Sequence, residues 1–399
     1  MSWAISKNLT LIGAGICVAC AAMSVQAGDL ASSMEFNASY TSDFFSNRRG
    51  GLHRGDRHLA DLTVAVTLDM EELWDIRGLK LFVSGQSNDG GGFSDRFVGD
   101  SFAVSSIDAA TASRFLEAGA EWGLGEDGEH GLRVGLLDLN AEFDASALRA
   151  LYVNSVFGIG QDLSQSGENG PSIFPTTALG VTLSLQVAPQ WHWLSAAFDG
   201  VAGDPNRPKT TTVQLHGHDG LLLISELQRL SDGRVEKMAF GVWGYTQAAK
   251  HLTAEGVEPT GSGHNHGWYV SADSRLGALD EVRPWRTSLR IGHAEEVVND
   301  HDWSVIAALN YDVSRPIGRE QSFGIGAAWI KTSSALRASA EGVDDYETAV
   351  ELTWRAAVTD WLTLQPDVQY IINPGSQRSL RNAVVVGLRF DIAAPTFSW

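Results

Sequence analysis

Hydrogen-bonding and ionisable side chains recur at every second residue in the last third of this sequence. Glu347, Glu351, Thr353 and Arg355 alternate with Tyr346, Val350, Leu352 and Trp354. Thr363, Gln365, Asp367 and Gln369 alternate with Leu362, Leu364, Val368 and Tyr370, and Val385, Gly387, Arg389 and Asp391 with Val384, Val386, Leu388 and Phe390. Period two puts the two sets on opposite faces of a strand. The same parity applied earlier in the chain assigns Glu117, Glu121, Arg133, Lys237, Arg286 and Arg290 to the polar face, with Trp243, Tyr245 and Tyr269 beside them. A bulge would invert any one of these assignments. Mixed acids and arginines both accept and donate hydrogen bonds, and aromatic rings stack on C–H-rich surfaces. Such a set suits a neutral polyhydroxyl solute better than an ion, which a ring of one sign would select.

Covalent chemistry finds no support in the sequence. There is no Gly-x-Ser-x-Gly elbow, and the Gly-rich stretch from Asp89 to Gly92 opens no helix that would cradle phosphate. His216-Gly217-His218 and His264-Asn265-His266 are placed in long loops and lack a third spaced ligand, so they read as solvated histidines. No catalytic residue, metal or cofactor is therefore expected.

The elements that position these side chains are strands with one apolar and one polar face. A soluble sandwich buries the apolar face, whereas a transmembrane barrel turns it to lipid and the polar face to a water-filled lumen. The N-terminus favours the barrel. Lys7 precedes an apolar run from Leu9 to Ala22 that ends at Val25-Gln26-Ala27, which reads as a signal peptide over residues 1–27. Cys17 and Cys20 fall inside it, so disulfides and cysteine metal sites are not expected in the exported chain 28–399. With 48 Asp+Glu against 29 Lys+Arg and a net charge of −19, the chain is a poor nucleic-acid binder. No later apolar run is long enough for a spanning helix. The 13 Trp are the kind of residue that two interfacial aromatic girdles require.

About sixteen segments carry strand character. Through the first half of the chain the connections alternate between long (44–59, 87–112, 140–175, 200–217, 247–265) and tight (70–76, 123–129, 188–189, 230–233). The expected fold is an all-β, transmembrane antiparallel barrel with long outer loops and short periplasmic turns. Fourteen or eighteen strands remain open alternatives. The longest connection, 140–175, is expected to fold into the lumen and narrow it.

The run Leu364-Gln365-Pro366-Asp367-Val368-Gln369-Tyr370-Ile371-Ile372-Asn373-Pro374-Gly375, followed by Val385-Val386-Gly387-Leu388-Arg389-Phe390, resembles the C-terminal part of the carbohydrate-selective porins of the OprB family. Phe36 to Asp43 with Gly50-Gly51 and Thr67 to Glu71 is similar to the N-terminal part of that family, and Leu132 to Gly135 with Val153 to Gly158 to its middle. The stretch Trp74 to Gly78 departs from it by lacking Gly-Trp pairs. The resemblance covers essentially the whole exported chain. It implies a sixteen-stranded outer-membrane porin through which monosaccharides such as glucose diffuse passively. Candidate pore-lining residues are Arg133, Glu117, Arg290, Glu347, Arg355, Asp367, Arg389, Trp243 and Tyr245. The expected partners are sugar solutes and outer-membrane lipid, with homo-oligomerisation left open. Alternative readings are a general or oligosaccharide-passing porin and a secreted β-sandwich that binds carbohydrate.

Overall fold

A computed structural model describes residues 32–253, 261–277, 285–314, 319–393 and 397–398. The expected signal peptide and its two cysteines lie outside the described residues. Sixteen antiparallel strands follow one another around the sheet. They are β1 Met34–Arg49, β2 Gly55–Asp69, β3 Leu79–Asp89, β4 Ala112–Leu124, β5 His130–Leu137, β6 Ala178–Ala188, β7 Trp191–Asp199 and β8 Leu221–Leu230. They continue as β9 Val235–Lys250, β10 Ser262–Leu276, β11 Trp285–Ala294, β12 His301–Ser314, β13 Glu320–Thr332, β14 Tyr346–Ala357, β15 Leu362–Ile372 and β16 Ala383–Ala393.

Each strand pairs with the next, and β1 pairs with β16 from Ser39↔Ala393 to Arg49↔Val384, which closes the barrel. Closure leaves no unpaired edge and satisfies every strand's backbone from a neighbour, the condition for a sheet to cross hydrocarbon. It also overturns the β-sandwich reading. Phe397–Ser398 adds a two-residue pairing with Glu35 and Phe36 beside this seam.

Leu352, Leu289, Phe240 and Val368 lie on the outer wall and remain 57%, 54%, 50% and 45% exposed. That apolar belt is a surface for lipid, not water. Glu347, Glu351, Gln365, Asp367 and Gln369 alternate with its residues and are buried inside.

Two connections differ from the expected pattern. The one after β1 is not the long segment 44–59: β1 and β2 extend to Arg49 and from Gly55, which leaves only 50–54 between them. Alternation fails there because Phe45 points inward onto Phe93, with ring centroids 5.8 Å apart, while Phe44 points outward; both faces are apolar. His264, Asn265 and His266 belong to β10 rather than to a loop. At the periplasmic end the turns are tight. After β2, Asp69 caps the short helix Met70–Trp74, accepting from the Glu71 N–H at 2.9 Å, and Asp75 closes it at φ 57°.

The outer half of the barrel is filled. Val98, Phe102, Val104 and Ile107 of the β3–β4 connection, and Leu151, Val153, Val156 and Phe157 of the β5–β6 connection, pack on inward Phe45, Ile306, Ile330, Ile371 and Val385. A second cluster joins Leu139, Phe143, Ile159 and Leu163 to inward Phe198, Leu222, Trp243, Tyr245 and Tyr269.

Candidate functional site

The inward polar residues fall into two groups, one gripping the folded-in connections and the other facing open space. In the first, Glu351 accepts the Val153 and Asn154 N–H groups at 2.6 and 3.0 Å, and Glu347 accepts the Ser101 N–H at 3.1 and 3.2 Å. Gln369 donates to the Val104 carbonyl at 2.7 Å and to Asp367 Oδ1 at 2.9 Å, and Gln365 donates to the Leu151 carbonyl at 2.6 Å. Arg389 forks onto Asp43 at 2.8 and 2.7 Å and reaches the Ser106 hydroxyl at 3.1 Å. These partners replace the hydration of each buried group with hydrogen bonds: charge-assisted ones to loop N–H groups for the two glutamates, neutral ones to loop carbonyls for the two glutamines, and an ion pair for Arg389.

Across the barrel, the fully buried Arg290 donates Nε to Asp144 at 2.9 and 2.8 Å, and Nη1 and Nη2 to Asp162 at 2.5 and 3.1 Å. Its guanidinium lies 5.1 Å over the Tyr269 ring, and the Tyr269 hydroxyl is bonded to Glu226. Arg149 adds a second cation to Asp144 at 3.0 Å. Burial pushes the Asp144 carboxyl up, but Arg290 and Arg149 outweigh it and hold the group below its ordinary value. Asp162 has Arg290 alone and the repulsion of Asp144, so burial prevails and its carboxyl is raised.

In the second group, Arg133 projects from β5 into a cavity of about 670 Å³ and is ringed by three carboxylates: Glu142 at 2.7 Å, Glu117 at 3.1 Å and Glu121 at 3.5 Å. Its guanidinium stands 4.8 Å over the Phe82 ring. Thr182, His192, Gln228 and Lys237 complete the wall. A bulge between Ser84 and Gly85 of β3 shifts the register of β4, so that Arg114 is buried and Glu117 still reaches Arg133. Burial pushes Asp138, at the end of β5, up to about 6, against the bond it accepts from Asn140. The cavity is of the size that holds a small polar molecule and offers both donors and acceptors, with the acids Glu117, Glu121, Glu129 and Glu142 in excess over Arg133 and Lys237.

The sequence matches the family model described as carbohydrate-selective porin, OprB family, over residues 53–393. The chain belongs to this porin family. Porin B of Pseudomonas aeruginosa is 23% identical over 418 residues, covering 90% of this chain and 87% of that protein. The high-pH structure of Pseudomonas putida OprB superposes with a TM-score of 0.79 at 16% identity, covering 91% and 94% of the two chains. The outer membrane channel DcaP of Acinetobacter baumannii gives 0.52 at 10% identity over 90% and 97%. Family and fold together make this protein an outer-membrane β-barrel porin for carbohydrate; the members of the family are channels.

In this porin the sequence-derived candidates have unequal access to a solute. Arg133 lines the cavity, Glu117 lies behind it at 3.1 Å, and Arg355 is half-exposed, 3.7 Å from Asp391. Arg290, Glu347, Asp367 and Arg389 face inward as their parity requires, but Arg290 and Glu347 are engaged by connections, Arg389 by Asp43 of the next strand, and Asp367 by Gln369 of its own. Trp243 and Tyr245 also face inward and are only 4% and 7% exposed. The Tyr245 hydroxyl meets Ser166 at 3.2 Å, so the turn around Ser166 covers the ring that was expected to stack on sugar. Glu142, Thr182, His192 and Gln228 were missed. Glu142 sits on a connection where parity says nothing, and the other three lie on strands whose inward faces are mostly small or apolar, Glu226 of β8 being the exception. On an outer loop Asp219 supplies the third group that the sequence reading lacked: ligand atoms of His216, His218 and Asp219 lie within 4.8 Å of one another.

Proposed function

We propose that the porin passes monosaccharides such as glucose by passive diffusion, and that the Arg133–Glu117–Glu121–Glu142 set is the polar track along which they move. The observation that carries this reading is the mixture of donors and acceptors at that cavity: one guanidinium shared by three carboxylates, with Lys237 and neutral Thr182 and Gln228 close by. A neutral solute can exchange its water for hydrogen bonds of both kinds, anions meet an excess of acids, and several weak sites in series allow release as well as capture.

Residues 140–175 and the β3–β4 connection narrow the lumen in this proposal, held by Glu347, Glu351, Gln369, Arg389 and Arg290. No catalytic step or energy source is needed, because solute follows its own gradient. The route lies within one barrel and works alike in a monomer or a homo-oligomer. Residues 1–27 direct export in the same reading.

Liposome swelling with glucose, a disaccharide, and anions and cations of similar size tests the proposal. Glucose should permeate fastest, and Arg133→Ala should slow it while raising cation flux. Equal rates for charged solutes would favour the general-porin reading instead.

A further inference from the structure

The chain is strongly acidic, with a net charge of −19, yet Arg48, Arg49, Arg54 and Arg57 fall close together with Asp56 as the acid among them. Arg57 faces inward and bonds to the Gly90 carbonyl. The others do not. The β1–β16 register shifts between Asn47 and Arg49, so Arg48 is the extra residue of a bulge, and Arg49 pairs with Val384 on the lipid-facing side of β16. Gly51 donates its N–H to the Arg381 carbonyl at 2.8 Å, which brings a further arginine to the same rim.

Arg48, Arg49, Arg54 and Arg381 are all exposed. Among the described residues none of their side chains has an ion pair or hydrogen bond. Below them on the outer wall lies a groove of about 460 Å³, lined by Phe44, Arg48, Asp56, His58, Val386 and Leu388. Its floor is apolar: Phe44 stacks on His58 at 4.6 Å and meets Phe390 edge-on at 5.8 Å. The Asp56 carboxylate is occupied by the Ser46 hydroxyl.

We propose that this rim binds the phosphate groups of an anionic glycolipid in the outer leaflet, with the acyl chains of the lipid along the groove. Arginine forks match phosphate oxygens, and clustered guanidiniums without carboxylate partners make a field that favours an anion. The ligand approaches from the membrane and not from the lumen. Arg48 and Arg49 leave the outer face of the wall, and apolar side chains continue directly below them where hydrocarbon begins. Phe44 precedes Arg48 by four residues, about 13 Å along a strand, which separates headgroup from acyl depth.

Native mass spectrometry of the full chain in detergent, with a bisphosphorylated acylated disaccharide lipid and its phosphate-free counterpart, tests the proposal. The wild type should retain the phosphorylated lipid selectively and lose it as salt rises. R48Q/R49Q/R381Q should weaken that retention by about fivefold per arginine, while R337Q, which removes an arginine from another outer loop, should not. Sugar flux should be unchanged in both. If the triple variant loses the gel-mobility shift on boiling that marks a folded barrel, R48Q and R381Q singly supply the same comparison. Equal retention of both lipids, undiminished retention by the folded variants, or displacement by inorganic phosphate with no contribution from the acyl chains would each overturn it.

Discussion

Replacing Arg290 by Ala should open the lumen without opening the barrel. Arg290 is the cation that joins β11 to two carboxylates of the β5–β6 connection, Asp144 and Asp162. Asp144 keeps Arg149 at 3.0 Å and the Gly160 N–H at 3.0 Å, whereas Asp162 loses its only ion-pair partner among the described residues. Breaking one side of a buried pair costs about 3–5 kcal/mol, which moves the balance between a held and a released turn by roughly two to four orders of magnitude. The penalty falls on the turn around Gln161–Ser164, because the β10–β11–β12 ladder uses backbone groups that the substitution leaves intact. Glu351 and Gln365 still grip residues 151–154, so release should be confined to the segment over Trp243 and Tyr245. Single-channel recording should therefore show larger conductance and weaker block by glucose, with an unchanged mobility shift on boiling. Adding Asp162→Asn to Arg290→Ala should restore much of the original conductance, since a neutral amide tolerates burial better than an orphaned carboxylate. Unchanged conductance in Arg290→Ala would refute the reasoning, as would a failure of the double variant to recover.

Arg133→Ala leaves Glu117, Glu121 and Glu142 without the cation they share, so reversal-potential measurements should show a shift toward cations, larger at low salt than at high. Arg133→Lys should shift selectivity less but still lose sugar block, because an ammonium cannot span the same carboxylates in a planar fork. Leu352→Arg places a charge on the lipid face and should destabilise the folded barrel by about 2–4 kcal/mol in urea titrations, far more than the neighbouring inward Thr353→Ser. Burial, with no hydrogen-bond donor on either oxygen among the described residues, pushes the Asp100 carboxyl up to about 7. The folded state therefore holds a proton that the unfolded segment gives up near pH 4, and stability falls as pH rises from about 4 through 7. The opening free energy of the Ser101 amide by hydrogen exchange should be about 1 kcal/mol smaller at pH 8 than at pH 6, and Asp100→Asn should flatten that dependence.

The strands from 346 to 391 were legible because lipid imposes one rule along a whole strand: every second side chain must be apolar. β1 was cut short in the sequence reading because Phe44 and Phe45 satisfy two different apolar surroundings, hydrocarbon outside and Phe93 inside. Ile371, Ala383 and Val385 are likewise inward and fully buried, in contact with loop residues that come from far away in the chain. Period two identifies a face but not what covers it. That is why parity put these residues on the inner face while they divided into Arg133, which lines the open cavity, and Glu351, Gln365 and Arg290, which hold loops. The β5–β6 connection announced itself by length alone. The β3–β4 connection carried a better signal that went unused: Val98, Phe102, Val104 and Ile107 are too apolar for a loop washed by water on all sides, and all four are buried. An apolar cluster inside a long connection of a barrel whose outer wall is already greasy has one place left to go, the lumen. By the same logic the inward carboxylates of β14, Glu347 and Glu351, buried with few cations beside them, had to find N–H donors. The donors at hand are the backbones of Ser101, Val153 and Asn154. The acids that looked like a passage for solute are therefore what hold that passage narrow.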